Sequence, residues 1–134
     1  MTRVPRSMVC LNSALAYWEL SDELPPAVHV AVPRGAHRPQ IDYPRTVVHV
    51  FAAGTFDVGR VEQGDPGERF WLSDRERTVA DGFRRRHELG EPMAFEALRR
   101  YLARPAASPG RLAELARMLR IEGPLLEAMR VLLP

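Results

Sequence analysis

A helical stripe that runs straight into an alternating strand constrains this chain more than any other feature. It occupies Cys10 to Gly35, CLNSALAYWELSDELPPAVHVAVPRG. Leu11, Leu15 and Trp18 recur at helical spacing with Ala14 on the same face, which makes one apolar stripe. Ser21 and Asp22 break the pattern, and Pro25-Pro26 cannot continue a helix. Val28, Val30 and Val32 then alternate with His29 and Ala31, the period-2 signal of a half-buried strand. Pro33, Arg34 and Gly35 end that strand in a turn. Two apolar elements in succession need a third to cover them, and the remaining sequence has to supply it.

The next segment, GAHRPQIDYPR, is loop-like in its Pro, Gly and charge. TVVHVF (Thr46 to Phe51) is a second strand with Val48 and Val50 on one face and Val47, His49 and Phe51 on the other. Apolar character on both faces predicts a central position in a sheet. Phe56 to Gln63 and Glu68 to Leu72 read as a hairpin reversed by GDPG at Gly64 to Gly67. Ser73 and Glu76 have the spacing of a capping box, which opens a helix expected to reach about His87. Val79, Ala80 and Phe83 form its inner stripe. Gly82 inside that helix costs about 1 kcal/mol relative to alanine, which predicts close packing against a neighbouring backbone. Three short helices follow, opened by Pro92, Ser108-Pro109 and Gly123-Pro124. The expected architecture is α+β: an N-terminal helix, a small mixed sheet of about four strands, then a C-terminal cluster of about four helices.

At 134 residues the chain is expected to form one domain that buries roughly two thirds of its unfolded surface. No apolar run approaches the roughly 20 residues of a membrane span, and no signal peptide is expected ahead of Cys10. A lone cysteine cannot form an internal disulfide, so a reducing cytoplasm is the expected setting and Cys10 reads as a small buried hydrophobe. All 19 basic residues are arginine. A chain without lysine has no P-loop lysine, no Schiff base and no Ser–Lys pair. The net charge of +2 is uneven: residues 73–134 hold twelve arginines against nine acids (+3), and residues 1–72 hold seven against eight (−1).

Candidate chemistry is sparse. His29, His37, His49 and His87 have no pair at ligand spacing. His29 and His49 could face each other across a sheet, but two strand histidines read as structural, so no metal or cofactor is expected. No nucleophile elbow is present, and Cys10 has no partner placed by sequence, so no catalytic residue is assigned. Asp74 and Glu76 suit a helix N-terminus, and Asp81 lies one turn from Arg77, Arg84 and Arg85 as an ion-pair partner. A helix-turn-helix drawn through Arg111 to Leu133 fails, because its second helix offers a groove only Glu127 and Arg130 while its leucines need a core. The interaction candidates are therefore basic residues expected at the surface: Arg34, His37 and Arg38 in the turn after the first strand, and Arg77, Arg84 and Arg85 on the capped helix.

Three segments carry a family resemblance: RVPRS at Arg3 to Ser7, the helix and PRG turn of Cys10 to Gly35, and RTVADGFRRRHELG at Arg77 to Gly90. Together they resemble the C-terminal antitoxin domain of the AbiEi family, the antitoxin and autorepressor half of type IV toxin–antitoxin systems of phage defence. Residues 1–8 are then expected as a polar tail and 9–134 as a single antitoxin-like domain. The resemblance implies neutralisation of a cognate nucleotidyltransferase toxin without a stable complex, by a protein that is not an enzyme. Family members usually carry an N-terminal winged helix-turn-helix, whereas this sequence opens almost directly at the second domain. Neutralisation without specific operator binding is the expectation, with any DNA contact and autoregulation falling to the basic C-terminal half. An accessory nucleic-acid module and a plain interaction domain remain open as readings from other classes.

Overall fold

The computed structural model describes residues 6–133. The chain runs β1 (Met8–Val9), α1 (Leu11–Tyr17), β2 (Val28–Pro33), β3 (Thr46–Phe51), a 3-10 turn (Ala53–Thr55), β4 (Arg60–Gln63) and β5 (Phe70–Ser73). Five helices follow: α2 (Arg75–Arg84), α3 (Arg86–Leu89), α4 (Glu91–Leu102), α5 (Pro109–Met118) and α6 (Glu122–Leu132). This is the expected α+β order, with a mixed sheet of five strands in the order β3-β2-β1-β5-β4. No helix among the described residues is long and apolar enough to cross a membrane.

The centre of the sheet is its shortest strand. Met8 pairs with Ala31 and Val9 with Val30 in antiparallel register, while Val9 also pairs with Leu72 of β5 in parallel. Met8 is 1% exposed, so the polar tail expected through residue 8 stops short of it. Arg6 already holds Asp57 at 3.0 Å. The expectation for residues 1–5 lies outside the described residues. Two residues carry no readable period, which is why the fifth strand escapes pattern reading.

β3 also departs from expectation. Among the described residues it pairs only with β2, in parallel from Val28↔Thr46 to Pro33↔Phe51, and is an edge rather than a centre. Periodicity reports which side-chain faces are covered and is blind to which backbone edge is free. The edge is guarded by arginine: Arg38 Nη2 donates to the Val48 carbonyl at 3.1 Å and Arg85 Nη2 to the Val50 carbonyl at 3.4 Å. Charged side chains along an edge discourage pairing with another chain.

The hairpin is shorter than expected, with Arg60↔Ser73 and Gln63↔Phe70 at its ends. Glu68 N–H donates to the Asp65 carbonyl, and Gly67 takes φ +90° behind Pro66, the arrangement of a type II turn. Phe56 is not in a strand. It is fully buried with Met8, Cys10, Leu11, Ala31 and Phe51 in an apolar cluster at the sheet. Cys10 thus lies inside that cluster, where burial pushes its thiol well above the ordinary range.

A larger cluster fills the helical half: Leu15 and Leu20 meet Val79 and Phe83 of α2, Leu98 and Tyr101 of α4, Leu112 of α5, and Leu125 of α6. The cap of α2 differs from the expected box. Asp74, not Ser73, accepts from Arg77 N–H at 2.7 Å, while Ser73 Oγ meets Thr78 Oγ1 at 2.8 Å. Glu76 turns away to Tyr101 Oη and Arg111. The close backbone approach assigned to Gly82 belongs instead to Gly59. A Cβ on Gly59 would meet Arg77 Cβ at 2.6 Å, whereas one on Gly82 would meet only Leu89 Cδ2 at 3.5 Å. The helix expected to reach His87 breaks at Arg85 (φ −111°, ψ 25°), and α3 adds a single turn before Gly90.

Candidate functional site

The segment RTVAD is built inward. Arg77 and Asp81, one turn apart on α2, are both 0% exposed, with Arg77 Nε donating to Asp81 Oδ2 at 2.9 Å. A buried guanidinium needs its remaining donors satisfied. Arg77 Nη1 donates to the carbonyls of Thr55 (2.7 Å) and Val58 (2.8 Å), which anchors the segment between β3 and β4 beneath α2. Asp81 is completed from the other side by Arg84, whose Nη2 donates to Oδ1 at 2.8 Å. Thr78 donates to the Ser73 carbonyl. The ion pair expected of Asp81 is present, but it is a core feature and not a surface one. Arg77, expected on an interaction surface, is unavailable to a partner because its side chain is buried, with Nε and Nη1 bonded inside the fold.

Arg84 and Arg85 are about a quarter exposed. The guanidinium carbons of Arg77, Arg84 and Arg85 lie 5.5, 4.7 and 5.4 Å from the centroid of the Phe51 ring. Cations over an aromatic face are attracted to its quadrupole. Phe51 carbonyl in turn accepts from Arg34 N–H at 2.8 Å. The PRG turn itself is a tight reversal: Ala36 N–H donates to the Pro33 carbonyl at 3.0 Å, and Gly35 sits at φ +93°, a region that favours glycine. The side chains of Arg34, His37 and Arg38 are exposed on the connection between β2 and β3. The six expected residues therefore divide. Arg77, Arg84 and Arg85 form a cradle under Phe51, and Arg34, His37 and Arg38 stand in the open on the turn above it.

A second constellation is the histidine pair. His29 Nδ1 lies 2.9 Å from His49 Nε2, beside a pocket of about 180 Å³ lined by Leu11, Asn12, Arg85, Glu88 and Leu89. Burial holds both imidazoles below their ordinary range; for His49 the neighbouring His29 and Arg85 add to it. Leu11 on the pocket wall has φ +46°. A branched residue in the left-handed region costs roughly 1–2 kcal/mol and persists because its side chain is buried. The sequence signalled the facing histidines through strand alternation; Glu88 and Asn12 come from helices whose placement has no local signature. Phe51, whose ring faces the α2 arginines and whose carbonyl takes the backbone N–H of Arg34, was readable only as the end of a strand.

A comparison with protein-family profiles and one with curated proteins each find no match to this chain.

Proposed function

We propose that this chain is an antitoxin-like protein that neutralises a cognate nucleotidyltransferase toxin in the cytoplasm, with Arg34, His37 and Arg38 as the neutralising surface. The observation that supports this reading is the convergence on Phe51. The PRG turn and the RTVAD helix, two of the segments on which the AbiEi resemblance rests, are distant in sequence and meet at one residue. In this reading RTVAD is the internal brace and the turn is the part presented outward. Its role is binding rather than catalysis: the Arg34 and Arg38 guanidinium groups on the turn offer charge-assisted hydrogen bonds to carboxylates or phosphates without group transfer.

The test is growth of cells that express an AbiE-type nucleotidyltransferase toxin with and without this chain. Wild type restores growth. The triple variant Arg34→Ala, His37→Ala, Arg38→Ala, confirmed soluble and folded, loses most of that rescue. Full rescue by the triple variant would move the neutralising surface elsewhere, and no rescue by the wild-type chain would overturn the antitoxin reading.

A nucleic-acid reading draws on Arg117, Arg120 and Arg130, exposed on α5, just past its end, and on α6. It requires affinity that falls steeply with salt, with a log–log slope near −0.9 per phosphate contacted.

A further inference from the structure

His29 and His49 lie on neighbouring parallel strands and are offset by two residues, since His29 is in register with Val47 and Ala31 with His49. Their rings are 19° from parallel, with centroids 5.2 Å apart and facing nitrogens 2.9 Å apart. The difference between those distances matches the two ring radii, so the nitrogens point at each other along the line of centroids. A single proton fits on that line, carried by either ring. Ser13 Oγ fixes the backbone beneath by accepting from His29 N–H at 2.8 Å.

Among the described residues, charged groups reach this pair from the helical side only. Asp81 of α2 is already held by Arg77 and Arg84. Arg85, at the junction of α2 and α3, donates to Glu88 at 3.3 Å and to the Val50 carbonyl at 3.4 Å, both long contacts. Glu88 of α3 is the one carboxylate on the pocket wall; α1 contributes Leu11 and Asn12, which carry no charge.

We propose that the His29–His49 pair is a proton-operated latch, closed at neutral pH to hold α3 and Arg85 against the β3 edge and opened by acid. One added proton still leaves a single hydrogen between the facing nitrogens, now as a charge-assisted bond. A second places a hydrogen on each nitrogen and sets two cations in contact beside the Arg85 guanidinium. The rings must part, and the added charge repels Arg85, which is held by two long bonds and by the Phe51 ring. Release uncaps the Val50 carbonyl and frees the one-turn α3.

The test is a titration of the ¹⁵N-labelled chain from about pH 8 to about pH 4, which extends below the ordinary imidazole range because burial lowers both rings and the second proton must join a cation. It uses a His87→Gln background, because His87 lies on α3 itself. Imidazole nitrogen shifts report the pair, and exchange of the Leu89 and Gly90 amides, which donate to Arg85 and Arg86 carbonyls, reports α3. The expected result is a pair that titrates in two steps, with protection at Leu89 and Gly90 lost in the second. The double variant His29→Asn, His49→Gln places amides at the reach of the facing nitrogens and cannot titrate, so its α3 protection stays unchanged across the range. Independent single-step titration of His29 and His49 would overturn the latch, as would equal loss of α3 protection in the double variant. Should that variant fail to fold, the wild-type titration decides by itself, since α3 protection that does not follow the second histidine step refutes the coupling.

Discussion

At the scale of the residue, Arg77 decides more than any other side chain. Its guanidinium joins Asp81, the Thr55 and Val58 carbonyls and the Phe51 ring in one buried knot. Breaking a buried pair by removing one partner strands the other charge, which typically costs about 3–5 kcal/mol. Arg77→Met is expected to lose stability in that range in urea melts. Arg77→Lys should not restore it, because an ammonium cannot reproduce the planar fork. The glycines make a sharper contrast. Gly59→Ala drives a Cβ into Arg77 and Asp74 at φ +70° and is expected to destabilise the chain. Gly82→Ala has room beside Leu89 and should add about 1 kcal/mol through helix propensity. Opposite shifts of the urea midpoint check the pair; equal shifts would refute the assignment of the close approach to Gly59.

At the scale of the element, Tyr101 ties three helices together. Its hydroxyl donates to Glu76 of α2 and accepts from Ser108 N–H, at the start of α5, at 2.8 Å. Burial, reinforced by the bond to Glu76, pushes the phenol up to about 12 from an ordinary 10.0. The folded state therefore favours the neutral phenol. The contribution is fully present below pH 10.0 and is lost as pH rises towards about 12. Tyr101→Phe should cost about 1–3 kcal/mol at neutral pH, since Ser108 N–H and Glu76 lose a partner, and should flatten the alkaline loss of stability. Thermal melts of both proteins across that pH window measure it. An unchanged alkaline slope in the variant would assign the loss to other groups.

At the scale of the whole molecule, α2 joins two apolar clusters. Val79, Ala80 and Phe83 belong to the helical cluster, while Arg77 and Arg84 on the same helix cover Phe51 of the sheet cluster. One helix shared by both cores couples their unfolding, so a single two-state transition is expected. Far-ultraviolet circular dichroism, reporting mainly helices, and fluorescence of Trp71 on β5 should give coincident urea transitions in a Trp18→Phe background. Separated midpoints would show that the sheet and the helical bundle unfold apart.

The order of elements was legible because it is a matter of local pattern. Leu11, Leu15 and Trp18 at helical spacing, the alternating valines of β2, the Pro66-Gly67 reversal and Ser108-Pro109 each report conformations decided within a few residues of chain. The exposed turn of Arg34, His37 and Arg38 was legible for the same reason. What tertiary structure decided is which groups share a partner. Met8–Val9 became the centre of the sheet because β2 and β5 both offer it hydrogen bonds, though two residues have no period of their own. β3 became an edge although both its faces are apolar, because side-chain pattern carries no information about backbone neighbours. Arg77 and Asp81 spell an ordinary surface pair one turn apart. Only carbonyls from the distant Thr55–Val58 segment, brought within 3 Å, make it possible to bury them.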